Sequence, residues 1–220
     1  RVSHLPYFPL AGGDAATKRP SRAALGLLWQ LGIDWDENLA PMQDLCSEER
    51  MALRIQLERK LNTPLTSSMG RLFDAVAALA GGRQSVNYEA QGAIEFEALA
   101  DDAERGSYLF CNEQTQIQVR SGFLSILKDV QNNIPVATIS AKFHNGIAEM
   151  VLKTCVSLRE KSGLNTVALS GGVWQNIFLL RCTLDALRAN GFDILIHRQV
   201  PTNDGGLALG QAAIAAWMLK

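Results

Sequence analysis

Apolar residues recur at helical spacing through the first third of the chain. One periodic run over residues 23–31 follows Ser21, and further runs occupy residues 47–61 and 68–82. Serine favours helix amino termini, and the double glycine at 81–82 favours a helix end. The pattern therefore predicts a helical insertion over residues 20–82, with Ser21 as a helix cap, preceded by a Gly- and Pro-rich loop within residues 1–19.

The middle of the chain gives a mixed pattern. Residues 93–103 have helical spacing, whereas the segments YLFC and TQIQV alternate in a way that is typical of short strands. Two amphipathic helices are predicted next. The first follows Ser121, and the second begins after Pro135 and ends at Gly163.

The last part of the chain alternates strands and helices. A strand over Thr166–Leu169 leads through the turn SGGV into a helix predicted over residues 174–189, and a second strand follows over residues 193–197. This order predicts parallel pairing of the two strands. The loop PTNDGG then leads into a closing helix over residues 207–219. The fold class is therefore predicted to be α/β.

Composition narrows the possible functions. The formal net charge of −1 gives no broad basic surface for nucleic acid, and no apolar run reaches the length of a membrane span. The start RVSHLPYFPL has neither the order of a signal peptide nor an initiator Met, so we expect a cytoplasmic segment of a longer protein. The four cysteines form no C-x-x-C pair, and the three histidines form no H-x-x-x-H pair.

The turn Ser170-Gly171-Gly172-Val173 is the first candidate site. It lies where a predicted parallel strand leads into a helix amino terminus, a position whose N–H groups suit a phosphate or ribose. Two glycines allow a ligand to approach the backbone closely, and Asn176 offers an amide in the first helical turn. Alternatively, the glycines only form a tight turn, which short glycine motifs often do.

Three further polar positions have both a structural and a functional interpretation. Asp204 precedes a glycine pair outside the end of a strand, where it either binds a cation or caps the last helix. Asp74 follows Arg71 by three positions, a spacing typical of a solvated ion pair. His144 lies beside the apolar stripe of its helix, where a histidine with satisfied hydrogen bonds is more common than a catalyst.

Taken together and in order, these segments resemble the HypF carbamoyltransferase family, in its domain related to the tRNA threonylcarbamoyl-adenosine synthase TsaD. The matching segments are PLAGGDAATKRPSRAAL, TSSMGRLFDAVAAL, YEAQGAIEFEALA, IPVATISAKFHN, SGGVWQN and PTNDGGLALGQA. The resemblance implies a lobe of the actin and sugar-kinase fold (ASKHA), with a parallel or mixed sheet. Residues 1–19 would lead in from a first lobe, and residues 83–220 would form the second nucleotide-binding lobe.

The resemblance also implies roles for particular residues. Asp74 of GRLFD and Asn176 of GGVWQN would contact an adenylate beside Gly171 and Gly172, and we expect Asp74 and Asn176 to face one cleft. Asp204 would be a metal ligand. Gln91 of YEAQG stands approximately where the related synthases have a glycine that contacts the ligand, so this contact departs from the family pattern. The resemblance identifies no catalytic residue.

The implied reaction is carbamoyl transfer in hydrogenase maturation. A YrdC-like domain would form carbamoyl-AMP from carbamoyl phosphate and ATP, and the TsaD-like domain would pass the carbamoyl group to the carboxy-terminal cysteine of the partner HypE, beginning cyanide-ligand synthesis. Acylphosphatase-like, zinc-finger and YrdC-like regions would precede residue 1. The remaining ligands for a divalent metal, iron or zinc, would also lie there. We therefore expect this fragment alone to be inactive and metal-free, with Asp204 acting as a cap.

Two other functions are compatible with the sequence. An antibiotic-type O-carbamoyltransferase would use a similar domain on a hydroxyl acceptor, although GRLFDA and YEAQG fit the hydrogenase branch better. A non-catalytic module that binds nucleotide or docks a partner is the second alternative.

Overall fold

The computed structural model describes residues 1–113 and 115–219. The chain divides into two compact units, residues 1–150 and Val151–Lys220, with the division inside one long helix. The α-helices of the described residues are α1 (Asp14–Lys18), α2 (Pro20–Gln30), α3 (Ala40–Asp44), α4 (Ser47–Arg59), α5 (Met69–Leu79), α6 (Gln91–Ala98), α7 (Arg120–Gln131), α8 (Val136–Ser162), α9 (Ile177–Ala189) and α10 (Leu207–Met218).

The strands form three small sheets in the described part of the chain. They are β1 (Phe8–Pro9), β2 (Leu65–Thr66), β3 (Cys111–Glu113), β4 (Gln116–Gln118), β5 (Thr166–Leu169) and β6 (Asp193–Ile196). The pairs β1–β2 and β3–β4 are antiparallel, whereas β5–β6 is parallel. The architecture is thus mixed α/β and mostly helical, with separate two-stranded sheets where the sequence had predicted one parallel or mixed sheet.

The first unit is built around α5. Every residue of this helix from Leu72 to Leu79 is buried, as expected for a helix that is apolar on nearly all sides. Phe143 of α8 packs edge-on against Phe73, with ring centroids 4.8 Å apart. The burial of α5 places the one acidic residue within this stretch, Asp74, in the interior.

The start of α2 differs from its prediction. Pro20 occupies the first turn and Arg19 is the N-cap residue, so Ser21 is not the cap. Proline suits the first helical position because its missing N–H would have no partner there. The buried Ser21 hydroxyl instead donates to Asp44 Oδ2, over 2.9 Å.

The second unit contains the predicted strand, helix and strand. Strand β5 pairs with β6 in the register Thr166↔Asp193 to Leu169↔Ile196, and α9 connects them. Leu169, Leu187 and Phe192 form the buried core of this unit. Helix α10 has no buried residue. No helix among the described residues is long and apolar enough to cross a membrane.

Candidate functional site

The carboxyl ends of β5 and β6 bring two polar residues together. The parallel register aligns Leu169 with Ile196, so the next residues, Ser170 and His197, leave the two strands side by side. Their side chains are in contact, with 3.0 Å between Ser170 Oγ and His197 Nε2. This pair was not among the predicted site residues, although both residues directly follow a strand. The predicted parallel pairing could have revealed it.

The loop over residues 201–206 holds the glycine turn. Gly171 N–H donates to the Thr202 carbonyl over 2.9 Å, and the Thr202 hydroxyl donates to the Gly171 carbonyl over 3.2 Å. Gly171 has φ 107°, a conformation that side-chain-bearing residues rarely adopt. The β-carbon that Gly172 lacks would stand 3.7 Å from Cβ of Asn203. The two loops predicted to carry ligand-binding residues are therefore joined at one end of the β5–β6 pair.

Asn176 is the N-cap residue of α9. Its Oδ1 accepts a hydrogen bond from Leu179 N–H over 2.8 Å. The helix thus begins at Ile177, three residues later than predicted, because residues Gly172–Gln175 form a 3-10 turn. Asn176 was predicted to lie within the first turn, and it lies just before it. The Asn176 side chain, which was predicted to contact a nucleotide, thus stabilises the start of α9.

Asp204 is exposed and is the first residue of a second 3-10 turn. Asn203 caps that turn, since its Oδ1 accepts from Gly205 N–H over 3.0 Å. The N-cap residue of α10 is Gly206, without a side-chain cap, so the prediction that Asp204 caps the last helix is wrong. The described residues contain no group of three His, Cys, Asp or Glu side chains that could hold a metal ion. One exposed carboxylate does not make a transition-metal site, because such sites need several converging ligands.

Asp74 is buried, which overturns the prediction of a solvated ion pair. Its Oδ2 lies 2.9 Å from Arg71 Nη1, and the two side chains are 5% and 15% exposed. The contact is an ion pair without the geometry of a hydrogen bond. Burial raises the pKa of Asp74 to about 6, with Arg71 opposing the rise and Glu89 adding to it.

Asp74 and Gln91 belong to the same part of the first unit. Asp74 Oδ1 stands 3.8 Å from the position that a β-carbon on Gly92 would occupy, at the amino terminus of α6. Gln91 is buried, and its amide is used within the chain: Oε1 accepts from Asn87 N–H over 2.9 Å, and Nε2 donates to Glu95 over 3.0 Å. The amide therefore fixes the segment that leads into α6.

His144 is fully buried, rather than at the boundary of its helix. Its Nδ1 donates to the Ser140 carbonyl over 2.7 Å, and the rings of Phe73 and Phe96 lie 5.1 and 5.9 Å away. Burial in these apolar surroundings lowers the pKa of His144 to about 4, so the ring is neutral at pH 7.

Comparison with known proteins gives the family. Residues 1–211 match the family described as carbamoyltransferase, Kae1-like domain, second subdomain. A carbamoyltransferase HypF from Synechocystis is 32% identical over 96% of this chain and 29% of its own length. A tRNA N6-adenosine threonylcarbamoyltransferase from Dictyoglomus turgidum is 26% identical over 69% of this chain and 46% of its own length.

Solved structures give the same relationship. A full-length HypF in the phosphate- and nucleotide-bound form is 37% identical, with a TM-score of 0.88 over 100% of this chain and 29% of that one. HypF from T. kodakarensis is 28% identical, with a TM-score of 0.82 over 100% of this chain and 30% of that one. The chain belongs to the HypF carbamoyltransferase family. It spans less than a third of the length of the Synechocystis protein and of both solved structures.

Proposed function

We propose that this chain is the nucleotide-binding part of a carbamoyltransferase that modifies the carboxy-terminal cysteine of HypE. The observation that carries the proposal is the meeting of the Gly171–Gly172 turn, Asn176 and the loop of Asp204 at the carboxyl ends of β5 and β6. Open α/β domains bind ligands outside this end of their strands. The nucleotide-bound HypF structure, which this chain matches along its full length, supports a nucleotide as the ligand.

In the proposed reaction, the thiolate of the partner cysteine attacks the carbonyl carbon of carbamoyl-AMP. A carbon–sulfur bond forms, the bond from that carbon to the phosphate oxygen breaks, and AMP leaves with the electron pair. The thiol proton passes to solvent. The contribution of this chain is to hold the adenylate still while the thiolate attacks, because orientation alone removes a large part of such a barrier.

In the first unit, we propose that Asp74 contacts the nucleotide and that Gln91 contributes to the same contact. A carboxylate accepts hydrogen bonds from hydroxyl or amino groups, which a nucleoside offers. Gln91 supports this by fixing the segment before α6 through its bonds to Asn87 and Glu95. Asp204 does not complete a metal site with the other described residues, and no step of the proposal depends on a metal.

The remaining parts of the proposal concern the longer polypeptide. We propose that the chain is a lobe of the actin and sugar-kinase fold, and that YrdC-like, zinc-finger and acylphosphatase-like regions supply carbamoyl-AMP. The relatives leave ample length for such regions, since this chain covers 29% of the Synechocystis protein. The exposed apolar residues of α10, such as Leu209, Ile214 and Trp217, would then be covered by another part of that polypeptide.

Substitutions at Asn176 in the complete gene product separate binding from helix capping. Asn176→Ser keeps a cap acceptor but removes the amide, whereas Asn176→Ala removes both. We expect both variants to bind AMP more weakly in a calorimetric titration, and only the alanine variant to lose about 1 kcal/mol of unfolding free energy. AMP affinity unchanged in the serine variant would leave Asn176 with its capping role alone. Transfer of [14C]carbamoyl to HypE, measured in parallel, tests the reaction itself.

A further inference from the structure

Arg71 holds one oxygen of the Asp74 carboxylate. The two residues are one helical turn apart on α5, and Arg71 Nη1 lies 2.9 Å from Asp74 Oδ2. The same nitrogen donates to the Thr17 carbonyl of α1 over 3.4 Å. The bond to Thr17 limits the freedom of the guanidinium to turn, so Arg71 stays beside the Asp74 carboxylate and balances its charge.

The other carboxylate oxygen of Asp74, Oδ1, lies at the start of α6. Oδ1 lies beside Gly92, and the first N–H groups of a helix have no partners within the helix. Negative charge is favourable at this end of a helix. Because Arg71 contacts Oδ2, Oδ1 beside Gly92 is the carboxylate oxygen left to accept a hydrogen bond from an incoming ligand.

Arg71 is the neighbouring charge that stabilises the ionised form of Asp74. Burial and the nearby Glu89 both favour the protonated acid, whereas Arg71 favours the carboxylate. Arg71 and Glu89 are the charged groups that act on the pKa of Asp74. On the elements packed against α5, His144 of α8 is neutral, Arg22 of α2 is bonded to Gln56, Asp44 of α3 is paired with Arg19, and Lys142 of α8 is paired with Asp129. On α6, Glu95 is paired with Arg83, and Glu97 has its own interaction.

We propose that Arg71 is a positioning residue for the nucleotide contact of Asp74: it keeps the carboxylate ionised at neutral pH and presents Oδ1 at the amino terminus of α6. The inference rests on the proposed function, in which Asp74 meets the nucleotide. Arg71 does not itself touch the ligand. Its effect on binding is therefore exerted through the protonation state and orientation of Asp74.

The test is the pH dependence of AMP affinity in the complete gene product. Asp74→Asn measures the affinity that does not depend on this carboxylate. In the wild type, the Asp74-dependent affinity should rise from pH 5.5 to 7.5, as a carboxyl group with a pKa of about 6 ionises. In Arg71→Met, the rise should move to higher pH, with affinity at least about two-fold weaker at pH 7 and recovering by pH 9.

Two further variants serve as controls: one keeps a positive charge at position 71, and the other removes an arginine elsewhere. Arg71→Lys keeps the charge and should keep the wild-type profile. Arg50→Met removes a partly buried arginine that is paired with Glu37, away from Asp74, and should leave the profile unchanged. Circular dichroism of each variant reports whether the fold is retained. The carboxyl-carbon NMR signal of Asp74, assigned by its absence in Asp74→Asn, should titrate at higher pH in Arg71→Met without any ligand.

The possible outcomes separate this inference from the proposed function. If Asp74→Asn weakens AMP binding but Arg71→Met shifts neither the profile nor the NMR titration, the role of Arg71 is wrong and the nucleotide contact stands. A loss by the same factor at every pH would make Arg71 a direct ligand contact and would overturn the positioning role. If Asp74→Asn binds AMP as the wild type does, the nucleotide contact of Asp74 fails, and the role of Arg71 fails with it.

Discussion

The ring of Phe73 lies 5.1 Å from the ring of His144, at an interplanar angle of 66°. Asp74 is the next residue along α5, so a buried carboxyl group and a buried imidazole occupy neighbouring parts of one apolar core. Burial disfavours the charged form of each. It raises the pKa of Asp74 to about 6 and lowers that of His144 to about 4. The two groups therefore have opposite effects on stability over the same pH range.

Asp74→Asn should show the first of these effects. Because the folded pKa of Asp74 is above the unfolded value of 3.8, the folded state binds its proton more tightly, and wild-type stability falls as pH rises through this range. Relative to the wild type, the variant should gain about 2.5 kcal/mol of unfolding free energy between pH 4 and pH 7. Urea unfolding at several pH values measures the difference. A gap that does not change with pH would show that Asp74 titrates normally.

His144→Gln should show the opposite effect. The folded pKa of His144 is below the unfolded value of 6.5, so its protonation favours unfolding, and wild-type stability rises from pH 4 to 6.5. The variant lacks this rise and should lose about 3 kcal/mol relative to the wild type between pH 4 and pH 7. The same urea series tests it. Any constant penalty for replacing the buried ring shifts the whole curve and leaves the pH-dependent part readable.

The local pattern predicted several elements well. Strand β5 was placed at its observed limits, and α8 and β6 were placed within one residue of theirs, because each has a clear apolar period and a nearby Gly or Pro boundary. The helical spacing assigned to residues 93–103 ends earlier, at Ala98, and the strand after Tyr108 begins only at Cys111. In those segments the apolar period is short, so it marks their ends poorly.

Contacts between distant residues were not predictable in this way. The Ser21 hydroxyl bonds to Asp44, 23 positions away, so no local capping rule could identify its partner. The spacing of Arg71 and Asp74 predicts an ion pair whether the pair is exposed or buried. The apolar run that follows Asp74 was the available sign of burial, since no polar residue interrupts it from Ala75 to Ala80.

Ala90→Gly should stabilise the segment that leads into α6. Ala90 has φ 61° and ψ 11°, a left-handed conformation that costs an L-residue roughly 1–2 kcal/mol. Glycine removes this strain but adds entropy to the unfolded chain, so the net gain should be about 0.5–1 kcal/mol. The matched control is Ala98→Gly at the end of the same helix, which should cost about 0.5–1 kcal/mol. Thermal unfolding of both variants would contradict the argument if both lost stability equally.

The last prediction tests which of two adjacent residues before α10, Asn203 or Asp204, stabilises the turn there. Asn203→Ala should lower the unfolding free energy by about 1 kcal/mol, because Gly205 N–H then loses its acceptor, whereas the exposed Asp204→Ala should cost no more than about 0.5 kcal/mol. Asn203→Asp, which keeps an acceptor oxygen, should restore most of the loss. Urea unfolding of the three variants decides between the residues. A larger cost at Asp204 than at Asn203 would return the capping role to Asp204, and would mean that its carboxylate is already engaged by the backbone rather than open to a ligand.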